Sequence, residues 1–139
     1  MNSYCFTIDT GNWDGAASLF EHGSWQVEGA TPIIGKQEVL AVLSKVKTYE
    51  DGTPKTKHVT SNVDLLINEP AGTASSECYV TVFQQTDELP LQVIFSGHYF
   101  DQFERVNGSW RFTRRLIRHT LVGNMSAHLK EPSDVIPKA

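Results

Sequence analysis

The sequence predicts an α+β domain with helices packed on one face of a bent, mostly antiparallel sheet. Two observations carry this. Segments with apolar residues at helical spacing come first in the chain, and long alternating segments follow them. Between two of the long segments stands Asn107-Gly108, a strong hairpin signal, because a two-residue type I′ turn needs positive φ at both positions.

The elements follow in order. Residues 2–9 read as a helix with Tyr4 and Ile8 one turn apart, and Gly11 as its stop. Asn12 is placed to cap a short helix whose apolar members are Trp13, Ala16, Ala17 and Phe20. "SWQVEG" (24–29) alternates Trp25 and Val27 with polar neighbours, as a strand does. "TPIIG" (31–35) carries turn signals, and "KQEVLAVLSKVK" (36–47) puts Val39, Val42, Leu43 and Val46 on one helical stripe. Residues 49–57 form a loop on their Asp-Gly and Pro content.

The strands begin near His58. "HVTSNVDLLIN" (58–68) places Val59, Val63, Leu65 and Ile67 on one alternating set. In 73–85, Cys78, Val80 and Val82 stand opposite Tyr79, Thr81 and Phe83. A long strand across 89–106 breaks near Gly97, and "SWRFTRRLIRHTLV" (109–122) returns as its hairpin partner. The expected domain is 1–125, with an irregular tail at 126–139.

Composition narrows the function. With 40% hydrophobic and 20% charged residues the chain has the make-up of a soluble globular protein. A net charge of −4 argues against nucleic acid or an anionic membrane as partner, since both attract basic patches. No apolar run reaches the ~18 residues a membrane span requires. No basic segment precedes an apolar one as in a secretory signal, so the expected location is the cytoplasm. Cys5 and Cys78 match no metal-ligand spacing and read as reduced thiols. His98, His119 and His128 offer no set of three converging ligands, so no metal is expected.

"DTGNWDGAASLF" (9–20), the short Trp strand, "HVTSN" (58–62) and "GHYFDQFERVNGSWRFTRR" (97–115) together form a recognisable pattern. It resembles the SnoaL-like (scytalone dehydratase-like) branch of the nuclear transport factor 2-like superfamily, over roughly residues 3–122. The resemblance implies a cone-shaped α+β barrel with one deep pocket. Hexachlorocyclohexane dehydrochlorinases and bile acid 7α-dehydratases are the most similar enzyme groups. They use an aspartate at the end of the first helix, a histidine at a strand start and an arginine on the last strand. Those positions fall here on Asp9, His58 and Arg115, and the dehydratases' tyrosine falls on Tyr4. Arg114 stands beside Arg115, and a one-residue bulge would exchange them. Family members carry a longer helix before the aspartate, which implies a pocket less covered on that side or filled by another segment.

On local sequence alone, Asp9 beside a glycine break reads as a turn residue and His58 as an ordinary strand-end histidine. The resemblance brings them together as a candidate general base with its orienting carboxylate. A neutral imidazole accepts a proton at physiological pH, and a carboxylate on its other nitrogen fixes the tautomer. Arg115 would hold a carboxylate or carbonyl oxygen or a leaving anion, and Tyr4 would act as a proton donor. The implied reaction is cofactor-independent proton abstraction followed by loss of a leaving group: dehydration or isomerisation of a small, hydroxylated, largely apolar molecule, steroid-like or polyketide-like. Trp25, Phe83, Phe95 and Tyr99 are candidate pocket residues. The four arginines at 111, 114, 115 and 118 read as an ion-paired strand rather than a nucleic-acid surface, with Glu104 and Asp101 on the preceding strand.

The competing expectation is a non-catalytic binding or oligomerisation module, similar to the small subunits of aromatic-ring dioxygenases. Asp9 and His58 within hydrogen-bond reach in a pocket would favour the enzyme. A homo-oligomer, dimer or trimer, is expected in either case, with Val80 and Val82 on an uncovered outer face of the sheet.

Overall fold

The first helix, α1 (Asn2–Asp9), ends in paired bonds. The Gly11 amide donates to the Ile8 carbonyl at 3.0 Å and the Asn12 amide to the Thr7 carbonyl at 2.8 Å, the pattern of a Schellman cap. Gly11 takes φ +74°, and a Cβ there would stand 2.1 Å from the Gly52 carbonyl oxygen. Conformation and close approach both demand glycine. The tight stop leaves Asp9 facing the chain that enters the sheet. Asn12 then caps α2 (Trp13–Ser18), its side-chain oxygen accepting from the Gly15 amide at 2.9 Å.

These elements belong to a computed structural model that describes residues 2–130. After α2 come β1 (Ser24–Val27), β2 (Ile33–Ile34), α3 (Lys36–Leu43), β3 (Thr56–Asn68), β4 (Thr73–Gln84), β5 (Gln92–Val106) and β6 (Ser109–Val122). The strands form one sheet in the order β2-β1-β6-β5-β4-β3. Every pairing is antiparallel except β1 with β6, which is parallel. The expected α+β architecture stands, with the sheet bent by bulges but not closed. Asn107 and Gly108 take φ 51° and 79° and join β5 to β6. The core lies between helices and sheet: Tyr4, Ile8, Ala17 and Phe20 meet Val80, Val82, Tyr99, Phe112 and Ile117.

Several expectations are corrected. Helix α3 stops at Leu43 rather than 47, because Val46 leaves the helix to pair with Leu129 in a β-bridge. Ile33 and Ile34, hidden among turn signals, pair with Trp25 and Ser24. Strand β5 runs unbroken through Gly97, where a Cβ would stand 2.0 Å from the Arg118 carbonyl oxygen; the glycine lets β6 approach closely beside a bulge. A second bulge between Ser61 and Asp64, with Asn62 at φ 53°, splits the alternating set of β3. Val59 stands with Thr81 on the outer face, whereas Leu65 stands with Ser76 on the inner one.

Val80 and Val82 are likewise not on the outer face. Both are fully buried against the helices, and the apolar residues exposed outside include Val59, Leu66, Tyr79, Val93 and Leu121. No disulfide joins the buried Cys5 and Cys78.

Past β6 the chain crosses the open end of the sheet as a strap, residues 124–130. The Lys47 amide donates to the His128 carbonyl at 2.8 Å and the Lys130 amide to the Lys45 carbonyl at 2.9 Å. Tyr49 Oη and Gln84 Nε2 both donate to the Ala127 carbonyl, at 2.5 and 3.0 Å. The strap has no regular structure beyond the bridge at Leu129, yet it is fastened on both sides. The rest of the expected irregular tail, 131–139, lies outside the described residues.

Candidate active site

Asp9 closes α1 and His58 sits near the start of β3, two residues past the buried Thr56. The Schellman stop turns the carboxylate toward the strand. There His58 Nδ1 lies 2.6 Å from Asp9 Oδ1, the His58 amide donates to Oδ2 at 2.8 Å, and Thr56 Oγ1 donates to Oδ1 at 2.8 Å. The two side chains are 5% and 8% exposed. Burial works to raise the Asp9 pKa. The hydrogen bonds and charge of His58, with the Thr56 hydroxyl, outweigh it and hold the carboxyl below its ordinary value. An ionised Asp9 accepts only, so His58 Nδ1 carries a proton, and in the neutral ring Nε2 is the acceptor.

The His58 ring helps to line a narrow cavity of about 50 Å³. Its other walls are Tyr4, Ile8, Trp25, Val27, Leu43, Val46, Phe95, Tyr99, Ile117, His119, Met125 and His128. Tyr4 meets His58 edge to face, with ring centroids 6.4 Å apart. Its hydroxyl accepts from Trp25 Nε1 at 3.1 Å, which leaves the phenolic proton for a ligand. Burial, opposed by the charge of Arg115, raises the Tyr4 pKa, so this group is a protonated donor.

Of the four expected pocket residues, Trp25, Phe95 and Tyr99 line the cavity. Phe83 does not. Side chains alternate along β4, and with Val82 turned inward Phe83 is placed outside beside Tyr79 and Thr81.

Arg115 points inward and Arg114 outward, but Arg115 does not line the cavity. It is fully buried and donates from Nε and Nη2 to the two Asp101 oxygens, each at 2.8 Å. Its guanidinium carbon lies 4.5 Å from the Tyr4 ring centroid and 3.8 Å from that of Tyr99. Desolvation opposes its charge, yet the bonds and charge of Asp101 prevail and raise its pKa further. This cation lies beneath the aromatic floor rather than in the site. The neighbouring arginines are paired outside: Arg111 with Glu104 at 2.6 Å and Arg118 with Glu28 at 2.7 Å.

His119, Met125 and His128 were not foreseen as wall residues. The first had a signal: it follows Arg115 and Ile117 at strand spacing, so all three share the inner face. Met125 and His128 had none, because the strap that carries them has no period to read. Cys5 offers no nucleophile: burial pushes its thiol up to about 11. Among the described residues no group of three histidine, cysteine or carboxylate side chains is placed to hold a metal.

A dyad at a helix end, opening on a cavity between helices and a bent sheet, can now be set against known proteins. Residues 1–116 match the model of the SnoaL-like domain. The chain belongs to the SnoaL-like family. No curated protein matches its sequence. Among solved structures, this SnoaL-like domain is similar to a Mycobacterium tuberculosis protein of unknown function, with TM-score 0.70 and 22% identity; the match covers 86% of this chain and 66% of that one. An NTF2-like protein with a cystatin-like fold from Novosphingobium aromaticivorans matches at TM-score 0.68 and 18% identity, covering 84% and 74%. A candidate scytalone dehydratase from the same organism matches at 0.68 and 23%, covering 97% and 85%. At such identities the likeness establishes the SnoaL-like fold and no particular reaction. Among the described residues no helix is long and apolar enough to cross a membrane.

Proposed function

We propose that this SnoaL-like domain is a cofactor-independent lyase or isomerase, specifically a dehydratase of a small, hydroxylated, largely apolar compound of steroid-like or polyketide-like character. The observation that carries the reading is the 2.6 Å contact of His58 Nδ1 with Asp9 Oδ1 at the wall of an apolar cavity. It also favours the enzyme over a non-catalytic module, because a binding wall has no need of a buried carboxylate aligned on an imidazole.

The reaction uses few parts. His58 Nε2 takes a proton from the carbon next to a substrate carbonyl, while Asp9 stabilises the imidazolium. The electron pair moves onto the carbonyl oxygen, to which Tyr4 donates a hydrogen bond. As the enolate collapses, the C–O bond to the β-hydroxyl breaks and the imidazolium returns the proton to it. Water leaves, and His58 and Tyr4 end as they began. Arg115 serves this scheme as a positioning residue under Tyr4 and Tyr99.

The cavity, about 50 Å³, holds only a few waters. The strap separates it from an outer depression of about 640 Å³, to which Ser126 and Ala127 contribute. Met125, unbranched and adaptable, is the wall residue best able to yield to a ring. A homo-oligomer formed through the exposed Val59, Tyr79, Val93 and Leu121 belongs to the same proposal, and sedimentation of the purified chain tests it.

The test is a screen of β-hydroxy ketones and β-hydroxyacyl thioesters for loss of water, followed by His58→Ala and Asp9→Asn. Turnover that survives both changes within a few-fold would sink the assignment.

A further inference from the structure

The mechanism above uses one imidazole of the three that line the cavity. His119 reaches it from β6, opposite Gly97, where the absent side chain lets the β6 backbone come close; its ring packs on Phe95 with centroids 4.5 Å apart. His128 reaches it from the strap and is 6% exposed. Its backbone is fixed at both ends, the carbonyl by the Lys47 amide and the amide by the Met125 carbonyl. The ring is therefore held in the wall by design of the strap, not left there by chance of a loose tail. Yet neither His119 Nδ1 nor His128 Nδ1 has a hydrogen-bond partner among the described residues. A buried polar group left without a partner costs stability, so two in one cavity wall call for an explanation.

The composition of the wall supplies it. No lysine, arginine, aspartate or glutamate lines the cavity, and Arg115 lies beneath its aromatic floor with Nε and Nη2 bonded to Asp101. An anionic ligand would find no cation there. An uncharged alcohol or ketone would find imidazoles, each of which in neutral form both donates and accepts. Burial lowers the His119 and His128 pKa values to about 4, which keeps both rings neutral. His58, His119 and His128 line the same small cavity, so one ligand there meets all three rings.

We infer that His128, with His119, forms a second polar subsite that takes an uncharged hydroxyl or carbonyl oxygen of the ligand and rejects carboxylates. Under the dehydratase reading, on which this rests, the subsite holds the substrate oxygen that the Asp9–His58 pair does not touch, and so positions the carbon to be deprotonated.

Three ring-sized probes test it on the full chain: phenol, toluene and benzoate, with affinities from calorimetry and from the ring-nitrogen signals of ¹⁵N-histidine-labelled protein. The same titrations are run on Met125→Ala, which widens the cavity. Phenol is expected to bind about tenfold more tightly than toluene, the worth of one hydrogen bond, and to move the His128 signals, while benzoate binds worse than either. His128→Leu should erase the preference for phenol with toluene affinity kept, and His128→Gln should restore part of it. A purely structural role would change both affinities together. The subsite is refuted if phenol shows no preference in either background, if the preference survives His128→Leu, or if benzoate binds as well as phenol. Should His128→Leu fail to fold, the wild-type signals decide, and an unmoved His128 ring on phenol binding overturns the proposal. Turnover in the His58 variants reports separately on the dyad. A phenol preference present in the wild type and lost in His128→Leu, with turnover untouched by His58→Ala, removes the dyad and supports the subsite; a preference that survives His128→Leu, with turnover lost in His58→Ala, removes the subsite alone.

Discussion

Arg115 and Asp101 are register partners on β6 and β5, joined by two 2.8 Å bonds with both side chains fully out of solvent. Such a pair is costly to halve. Asp101→Ala leaves a buried cation beneath Tyr4 and Tyr99 and should destabilise the fold by about 3–5 kcal/mol, read from urea unfolding. Replacing both members with apolar residues of similar volume should recover most of that loss. A single and a double variant of equal stability would show that the pair does not act as a unit.

Thr56 tests how Asp9 is tuned. Its hydroxyl donates to the oxygen that also receives His58 Nδ1. Thr56→Val keeps the volume and removes that bond, so the Asp9 pKa should rise toward its ordinary value. The Asp9 carboxyl carbon signal, followed against pH by NMR, should titrate at higher pH than in the wild type, with kcat reduced less than by Asp9→Asn, for which about 10²–10⁴-fold is expected.

Acid should unfold this protein in two ways. His119 and His128 have folded pKa values of about 4 against an ordinary 6.5. Between those values the unfolded chain binds more protons, so stability falls as pH drops from about 6.5 to about 4, by on the order of a few kcal/mol. Asp9, held below its ordinary 3.8, adds a loss at still lower pH, as it takes up a proton through its folded pKa. Denaturant midpoints measured from pH 7 to pH 4 should therefore decline, and His128→Leu should make the decline shallower. An equal slope in that variant would contradict the buried, neutral state of His128.

Gly11 carries the geometry of the dyad. Gly11→Ala forces a side chain into φ +74° and onto the Gly52 carbonyl. It should cost more than the ~1 kcal/mol typical of a misplaced backbone and lower turnover with it, because Asp9 stands two residues upstream. Thermal unfolding and kcat measured on one preparation check both effects.

The sequence by itself determined what neighbours decide. The Schellman stop at Gly11, the Asn12 cap, the Asn107-Gly108 hairpin and the alternation along β4 all follow from φ preferences and from periods of two or of about four residues, but which side of β4 turns inward does not. The family pattern of Tyr4, Asp9 and His58 was legible too, although nothing local paired Asp9 with His58. Tertiary structure decided the rest. A bulge at Asn62 moved Leu65 and Ile67 to the other face from Val59, and alternation cannot report an inserted residue before the register is known. Asp101 on the preceding strand was legible as a partner for these arginines, but that Arg115 lies buried with it beneath Tyr4 and Tyr99, outside the cavity lining, depends on what packs under the floor. His128 entered the cavity wall only because the strap folds back against Lys45 and Lys47, a long-range contact that no periodicity records.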